Sequence, residues 1–304
     1  MRVDQLSNMH AIFRSDFRFF HRLRVRWAEV DMQKIVFNAH YLMYFDTAMS
    51  DYWRALALPY DTTLQALQGD LYVKKASIEF HASARVDDQL DVALRCQRIG
   101  TSSMAFSGAI FRGEKHLISC EMIYVFADPT TQTARPVPTA LRDILLGFEA
   151  GESMIQVELG SWQALGGDAH LLRAEVFVRE QGIDPELACD ACDEAAVQAV
   201  VRNRMGLAVA TGRLLQHAPG VGRIGRMAVH RMVRGSGLGR ELLQALMRAA
   251  TQRGDRELLV HAQRSAEGFF QRQGFLVCGE PFEEAGTEHI EMRHPVHSDS
   301  IHMV

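Results

Sequence analysis

The stretch NAHYLMYFDTAMSDYWRAL, residues 38–56, decides the architecture of the N-terminal half. Tyr41, Leu42, Phe45, Ala48, Met49, Tyr52, Trp53 and Leu56 recur every three or four positions. That period predicts one helix of about five turns, apolar around much of its girth and so largely buried. Asn38 has the chemistry of an N-cap, and Pro59 is the expected stop. Upstream, HRLRVRWAEV (21–30) alternates, with Leu23, Val25 and Trp27 on one face and Arg22, Arg24 and Arg26 on the other. This predicts a half-buried strand. Downstream, strands are expected at 72–80, 89–99, 103–112 and 116–127, with turn signals at Asp87-Asp88, Gly100 and Gly113. Strands in unbroken succession favour an antiparallel sheet. One buried helix wrapped by that sheet is the economical packing. DPTTQTARPVP (128–138) closes the unit, 141–148 reads as a short helix, and 149–153 is a polar linker. Residues 1–16 have no clear period and are expected to form a loose arm.

After residue 153 the pattern restarts as an α/β unit. Helix is expected at 171–181, 241–253 and 266–273, and strand at 207–215, 223–230, 257–263, 275–277 and 290–293. Domains are therefore expected at 17–148 and 154–297.

The chain has 304 residues, enough for two domains; 47% are apolar and 23% charged, as in globular proteins. A net charge of −4 disfavours a nucleic-acid partner. No apolar run reaches the roughly 18 residues of a membrane span. The N-terminal stretch carries Asp4 and Asp16 and lacks the pattern of a secretory signal, so a cytoplasmic protein is expected. Cys189 and Cys192 form a C-x-x-C, but no second ligand pair follows at zinc spacing. Free thiols and no metal are expected.

Asp31 stands seven residues ahead of the predicted helix. The unpaired N–H groups of a helix's first turn can hold an oxyanion, and a nearby carboxylate can attack an acyl carbon or activate a water. The plainer role for Asp31 is to cap a turn. The segment VRWAEVDMQKIVFNAHYLMYFDTAMSDYWRALALPY (25–60) resembles the signature of the 4-hydroxybenzoyl-CoA thioesterase family, including the YbgC-like acyl-CoA thioesterases. Asp31, Ile35, Val36 and Tyr41 match its pattern, while Lys34 stands where the family has Gly and His40 where it has Asn. KASIEFHASARVDDQLDV and RPVP also resemble family members, so the likeness spans about residues 20–145. It implies a hotdog fold, an α+β domain with a long helix wrapped by an antiparallel sheet. It also implies dimers or tetramers with acyl-CoA sites between subunits. By the same resemblance Asp31 is the nucleophile or general base, and the Asn38 backbone N–H polarises the thioester carbonyl.

GRIGRMAVHRMVRGSGLGRELLQALM (222–247) reads as strand, loop, glycine-rich turn and helix. Gly235, Gly237 and Gly239 let the backbone approach a phosphate, and the N–H groups of the turn and the helix start form an anion nest. Arg231, Arg234 and Arg240 add positive charge. No G-K-[ST] follows, which excludes a P-loop. The spacing is G-x-G-x-G and not the G-x-G-x-x-G of a dinucleotide fold. A tight turn with incidental glycines is the plainer alternative. The stretch resembles motif A of the GNAT acetyltransferases, with Arg234, Gly237 and Gly239 filling [RQ]-x-x-G-x-[GA]. VFVREQGI (176–183), Asp190, Asp193, HAQ (261–263), FFQRQGF (269–275) and EEAGTEHIEM (283–292) look like one bacterial subgroup, so the likeness covers about 154–295. It implies an α/β GNAT domain that binds acetyl-CoA. The pyrophosphate would lie on Arg234, Gly235, Ser236, Gly237, Leu238, Gly239 and Arg240, and the pantetheine arm along the backbone of Met227, Ala228 and Val229. The acetyl group would pass directly to a small-molecule or peptide amine.

Many GNAT enzymes carry a Tyr where this chain has Phe270, and a phenyl ring donates no proton. Glu180, Glu284 and His289 are the acid/base candidates, each also readable as surface charge or packing; His261 reads as a satisfied core histidine. The combined expectation is a bifunctional, metal-free enzyme that hydrolyses acyl-CoA and transfers acetyl groups, forming homo-oligomers through the hotdog domain, with neither nucleic-acid nor membrane partners. One rival is a C-terminal module that senses acetyl-CoA without turnover. Another is an N-terminal dehydratase using His40 and Asp46.

Overall fold

Tyr41, Tyr44, Phe45, Ala48, Met49, Tyr52 and Trp53 are all buried on one helix, α1 (Asn38–Ala55). The structure is a computed structural model that describes residues 12–296. The chain divides after Met154 into two compact units. Most of the expected loose arm lies outside the described residues, and Arg14–Asp16 forms a short 3-10 turn.

In the first unit β1 (Phe19–Arg24) precedes α1, which is followed by α2 (Tyr60–Ala66), β2 (Asp70–Phe80), β3 (Gln89–Ile99), β4 (Ser103–Arg112), β5 (Lys115–Ala127) and α3 (Thr139–Ala150). The five strands form one antiparallel sheet in the order β1-β3-β4-β5-β2. This is the expected helix wrapped by a sheet. Close approach of α1 to β4 needs a glycine, because a Cβ at Gly108 would stand 2.6 Å from the Phe45 ring.

Four local expectations are corrected. The first strand stops at Arg24: the Val25 N–H bonds to the Asp88 carbonyl, and Trp27–Glu29 then turns as a 3-10 helix that leaves Trp27 82% exposed. Asn38 is the first helical residue and not the cap, a place taken by Phe37 without any side-chain bond. Pro59 does not merely stop α1 but starts α2, where its missing N–H costs nothing. Leu42, expected inside, is exposed.

The second unit runs β6 (Ile155–Gly160), α4 (Trp162–Arg173), a π-helical turn (Ala174–Glu180), α5 (Pro185–Ala188), β7 (Val197–Asn203), β8 (Ala208–Ala218), β9 (Val221–Val229), α6 (Leu238–Arg253), β10 (Glu257–Gln263), α7 (Glu267–Gln271), β11 (Leu276–Val277), β12 (Phe282–Glu284) and β13 (Thr287–Pro295). The sheet order is β11-β13-β10-β9-β8-β7-β6, with β12 added on β13. Its one parallel pair, β9 with β10, sits in the middle. The sequence reading missed β6, β7 and β12 and began the α4 helix nine residues late.

Candidate functional site

In the first unit Asp31 lies on the loop closed by the Val30–Val36 bridge. Its N–H donates to the Ile35 carbonyl and its own carbonyl accepts the Lys34 N–H, both at 2.9 Å. This tight turn holds Lys34 at φ 62°, the left-handed region that Gly occupies most readily. Asp31 does cap the turn, since Oδ1 accepts the Gln33 N–H at 2.8 Å. Oδ2 has no such tie among the described residues.

The loop is anchored by Glu29, which the sequence reading did not single out. Its carbonyl accepts the Phe37 N–H immediately before α1. Its carboxylate is only 4% exposed and is bonded by the Arg26 backbone and guanidinium and by the Tyr44 hydroxyl. Burial alone would raise this carboxyl, but those hydrogen bonds outweigh it and hold it below the usual carboxylate range. The loop thus hangs from a fixed charge, with Asp31 at one end and the start of α1 at the other. Phe37 offers no side-chain cap and the His40 N–H donates back to the Phe37 carbonyl, while Asn38 is exposed, so the N–H groups of Asn38 and Ala39 are the ones available for an oxyanion. His40 and Asp46 are six residues apart on α1, roughly 120° around the helix axis, so one small substrate does not meet both from a common face.

In the second unit a cavity of about 920 Å³ is lined by Met227, Ala228, Val229 and all of Arg234–Arg240. It exists because the parallel pair parts. β9 and β10 are in register from Val221/Glu257 to Ile224/Val260, and beyond that each strand runs on without the other. Between Gly225 and Val229 strand β9 therefore has, among the described residues, β8 as its only ladder partner. Arg226 takes a left-handed φ of 52° beside the irregular register of β8 with β9. It is tethered there by Asp190, which also receives a bidentate pair from Arg213. Hydrogen bonds from Arg213, opposed in part by burial, pull the Asp190 carboxyl down to about 2. Behind it, Asp193 and Arg173 pair at 2.8 Å, both essentially without solvent contact.

Past β9 the turn holds Gly235 at φ 87° and Gly237 at φ 93°, and Gly237 caps α6 without a side-chain bond. The turn lies at the positive, N-terminal end of the 16-residue α6, where backbone N–H groups attract negative charge. The Ser236 hydroxyl donates to the Val233 carbonyl at 2.7 Å. Arg234 is engaged on both sides, donating to the Val229 carbonyl and bidentately to Glu180. That pairing lowers the Glu180 carboxyl, against a smaller opposing effect of burial. Phe270 is 8% exposed and packs edge-on against Phe269 and Phe275.

The far wall corrects the reading of His261. It is not a core residue but lines the cavity, with Nδ1 2.9 Å from Arg223 and 3.0 Å from Glu284. Glu284 lies below the ordinary carboxylate range, because the bond to His261 and the charge of Arg223 together outweigh its burial. His289 lines the same cavity. Among the described residues no group of three or more His, Cys, Asp or Glu is arranged to hold a metal ion, and all five cysteines carry free thiols.

Residues 174–295 match the acetyltransferase (GNAT) domain family, and residues 33–119 match the thioesterase superfamily. A Bacillus subtilis protein named as the uncharacterized N-acetyltransferase YjcF is 32% identical over 126 residues, covering 41% of this chain and 89% of that protein. The chain is a thioesterase-superfamily domain joined to a GNAT acetyltransferase domain. The acyl-CoA thioester hydrolase YbgC of Escherichia coli O6:H1 is 25% identical over 123 residues, 39% of this chain and 89% of YbgC. A solved 1,4-dihydroxy-2-naphthoyl-CoA thioesterase from Synechocystis aligns at 18% identity and a TM-score of 0.40, over 42% of this chain and 95% of its own. The thioesterase match begins two residues after Asp31, whereas the GNAT match contains the whole turn and both cavity histidines.

Proposed function

We propose that the GNAT domain transfers the acetyl group of acetyl-CoA to an amine and that the thioesterase domain hydrolyses acyl-CoA. The observation that carries the first part is the meeting, in one cavity, of a glycine-rich turn at a helix N-terminus and a strand whose backbone has lost a neighbour. A CoA thioester has a pyrophosphate for the one and a chain of two amides for the other. Main-chain groups of Met227–Val229 pair with those amides, and the N–H groups of Gly235–Gly239 hold the pyrophosphate with Arg240 beside them. This directs the thioester toward His261, Glu284 and His289.

In the thioesterase domain Asp31 Oδ2 activates a water or attacks the carbonyl carbon, and the Asn38 N–H takes up the charge that grows on the carbonyl oxygen. A preorganised donor of this type lowers the barrier by about 3 kcal/mol. The C–S bond breaks and CoA leaves as its thiol, taking a proton that comes from water; where Asp31 itself attacks, a water then cleaves the acyl–Asp31 anhydride, freeing the acid and restoring the carboxylate. Trp27, Met32 and Phe37 are exposed apolar residues in the same segment. They suit an acyl chain or a second subunit, in keeping with a homo-oligomer built through this domain.

The test is one screen on the full-length protein: CoA release from short, long and aromatic acyl-CoAs without amine, and from acetyl-CoA with a panel of amines. Amine-dependent release sensitive to Gly237→Glu, together with amine-independent release sensitive to Asp31→Ala, supports both halves. Phe270 favours a second reading of the GNAT domain, a sensor that binds acetyl-CoA without turnover. Tight binding with no amine-dependent release would select it.

A further inference from the structure

His289 is held by three contacts that together fix both its ring and its proton. It lies on β13, paired to Gln263 of β10 on one side and to Phe282 of β12 on the other. The Phe282 ring stacks on it at 6.1 Å and 26°, and Phe282 in turn meets His261 edge-on at 4.8 Å. Nδ1 lies 2.9 Å from the Thr287 carbonyl oxygen. A carbonyl can only accept, so Nδ1 carries the hydrogen, and the neutral ring has its lone pair on Nε2. His289 is 9% exposed yet lines the cavity.

The other candidate bases are engaged by cationic or hydrogen-bonding neighbours. Both oxygens of Glu180 are taken by Arg234. Glu284 is bonded through Oε2 to His261, with Arg223 3.8 Å away, and its carboxyl is held below the ordinary carboxylate range, which makes it a weaker base than an imidazole; His261 Nδ1 is contacted by both Arg223 and Glu284, while its Nε2 stands 3.7 Å from Glu291. Among the described residues, Nε2 of His289 has no intramolecular hydrogen-bond partner. We propose that His289 Nε2 is the base that deprotonates the acceptor ammonium in the acetyl transfer, an assignment that rests on the acetyltransferase reading above. The ammonium gives one proton to Nε2, and the free amine attacks the thioester carbonyl carbon. The C–S bond then breaks, and a second proton from the attacking nitrogen passes to the departing sulfur. That route suits a site where Phe270 has no hydroxyl to supply one. His289 afterwards releases its proton to water.

The charged and titratable groups on the elements packed around His289 are Glu257 and His261 on β10, Glu283 and Glu284 on β12, Glu288, Glu291, Arg293 and His294 on its own strand, Arg264 on the turn after β10, and Arg223 and Arg226 on the neighbouring β9. The test compares the full-length protein with His289→Gln and His289→Asn. The Asn variant keeps a donor for the Thr287 carbonyl, and acetyl-CoA affinity checks that both variants fold. Loss of a general base costs about 100-fold or more in kcat at neutral pH, with acetyl-CoA affinity within about twofold. The deficit should shrink as pH rises toward the amine's own pKa, because solvent then supplies the free amine. A deficit equal at every pH, or activity within about threefold of wild type, overturns the assignment while leaving acetyl transfer intact. No amine-dependent release by the wild type overturns both. Nitrogen-15 chemical shifts that put the neutral proton of His289 on Nε2 overturn the assignment independently of any turnover.

Discussion

In the thioesterase domain Asp31 sits on a surface loop, in a segment with exposed Trp27, Met32 and Phe37 and with one buried carboxylate, Glu29, as its anchor. In the GNAT domain the nest, the open strand and the histidines line a single cavity, with Arg173, Asp193, Arg213 and Asp190 packed as charges behind it. The first arrangement leaves much of a substrate's surroundings to be supplied by something else, a second copy of the chain being the natural source. The second would enclose the proposed ligand with residues of one unit. The same carrier molecule can thus be handled by a short exposed loop or by a deep fork in a sheet, and the two should respond differently to damage.

The largest effect should come from Asp31→Ala, which is expected to reduce acyl-CoA hydrolysis by at least about 100-fold with acetyl-CoA affinity unchanged. Hydrolysis within tenfold of wild type would break the comparison at its first member. Gly237→Glu forces a side chain onto a backbone at φ 93° and puts a carboxylate where the pyrophosphate is expected. A like-charge contact of several kcal/mol corresponds to a loss of affinity on the order of 100-fold or more, readable by calorimetry, while thioester hydrolysis stays the same. Asp193→Ala leaves Arg173 buried without its ion partner, and breaking such a pair costs about 3–5 kcal/mol. Thermal unfolding should show this in the GNAT domain alone.

Acid sharpens the contrast further. Asp190 is ionised in the folded protein down to about 2, whereas an unfolded Asp protonates near 3.9. Its stabilising contribution is therefore complete above about pH 4 and is lost as pH falls toward the folded value. Asp190→Asn should flatten the pH dependence of unfolding in that window. The smallest effect is expected for Lys34→Gly: relief of the left-handed lysine is worth about 1–2 kcal/mol but is offset by the freedom glycine has when unfolded. A large loss of hydrolysis in that variant would mean that the Lys34 side chain itself acts.

The long elements were legible in the sequence because each carries a full period. Buried α1, the four strands after it, and β10 at 257–263 repeat their apolar residues often enough to be counted. The short elements were not. α2 has seven residues behind a proline that reads as a stop, and β6 has six with little full burial to mark a face. Glycines mark the nest because a left-handed turn requires them. Nothing in the sequence pairs Arg226 with Asp190, 36 residues away, or places His261 between Arg223 and Glu284, since those contacts arise from strand order and not from spacing. For the same reason Glu29, two residues before Asp31, gave no signal: its partner Tyr44 comes from the far side of a turn and looks like one more apolar helix residue.

The parting of β9 from β10 has one more consequence. If amides of the carrier dock along Met227–Val229, they are read by peptide groups that every amino acid possesses. Alanine scanning along that segment would be nearly silent, and variation there would be tolerated as long as the backbone kept its course. Only a substitution that deletes a peptide hydrogen, such as proline, would expose how much of the grip is written in the main chain.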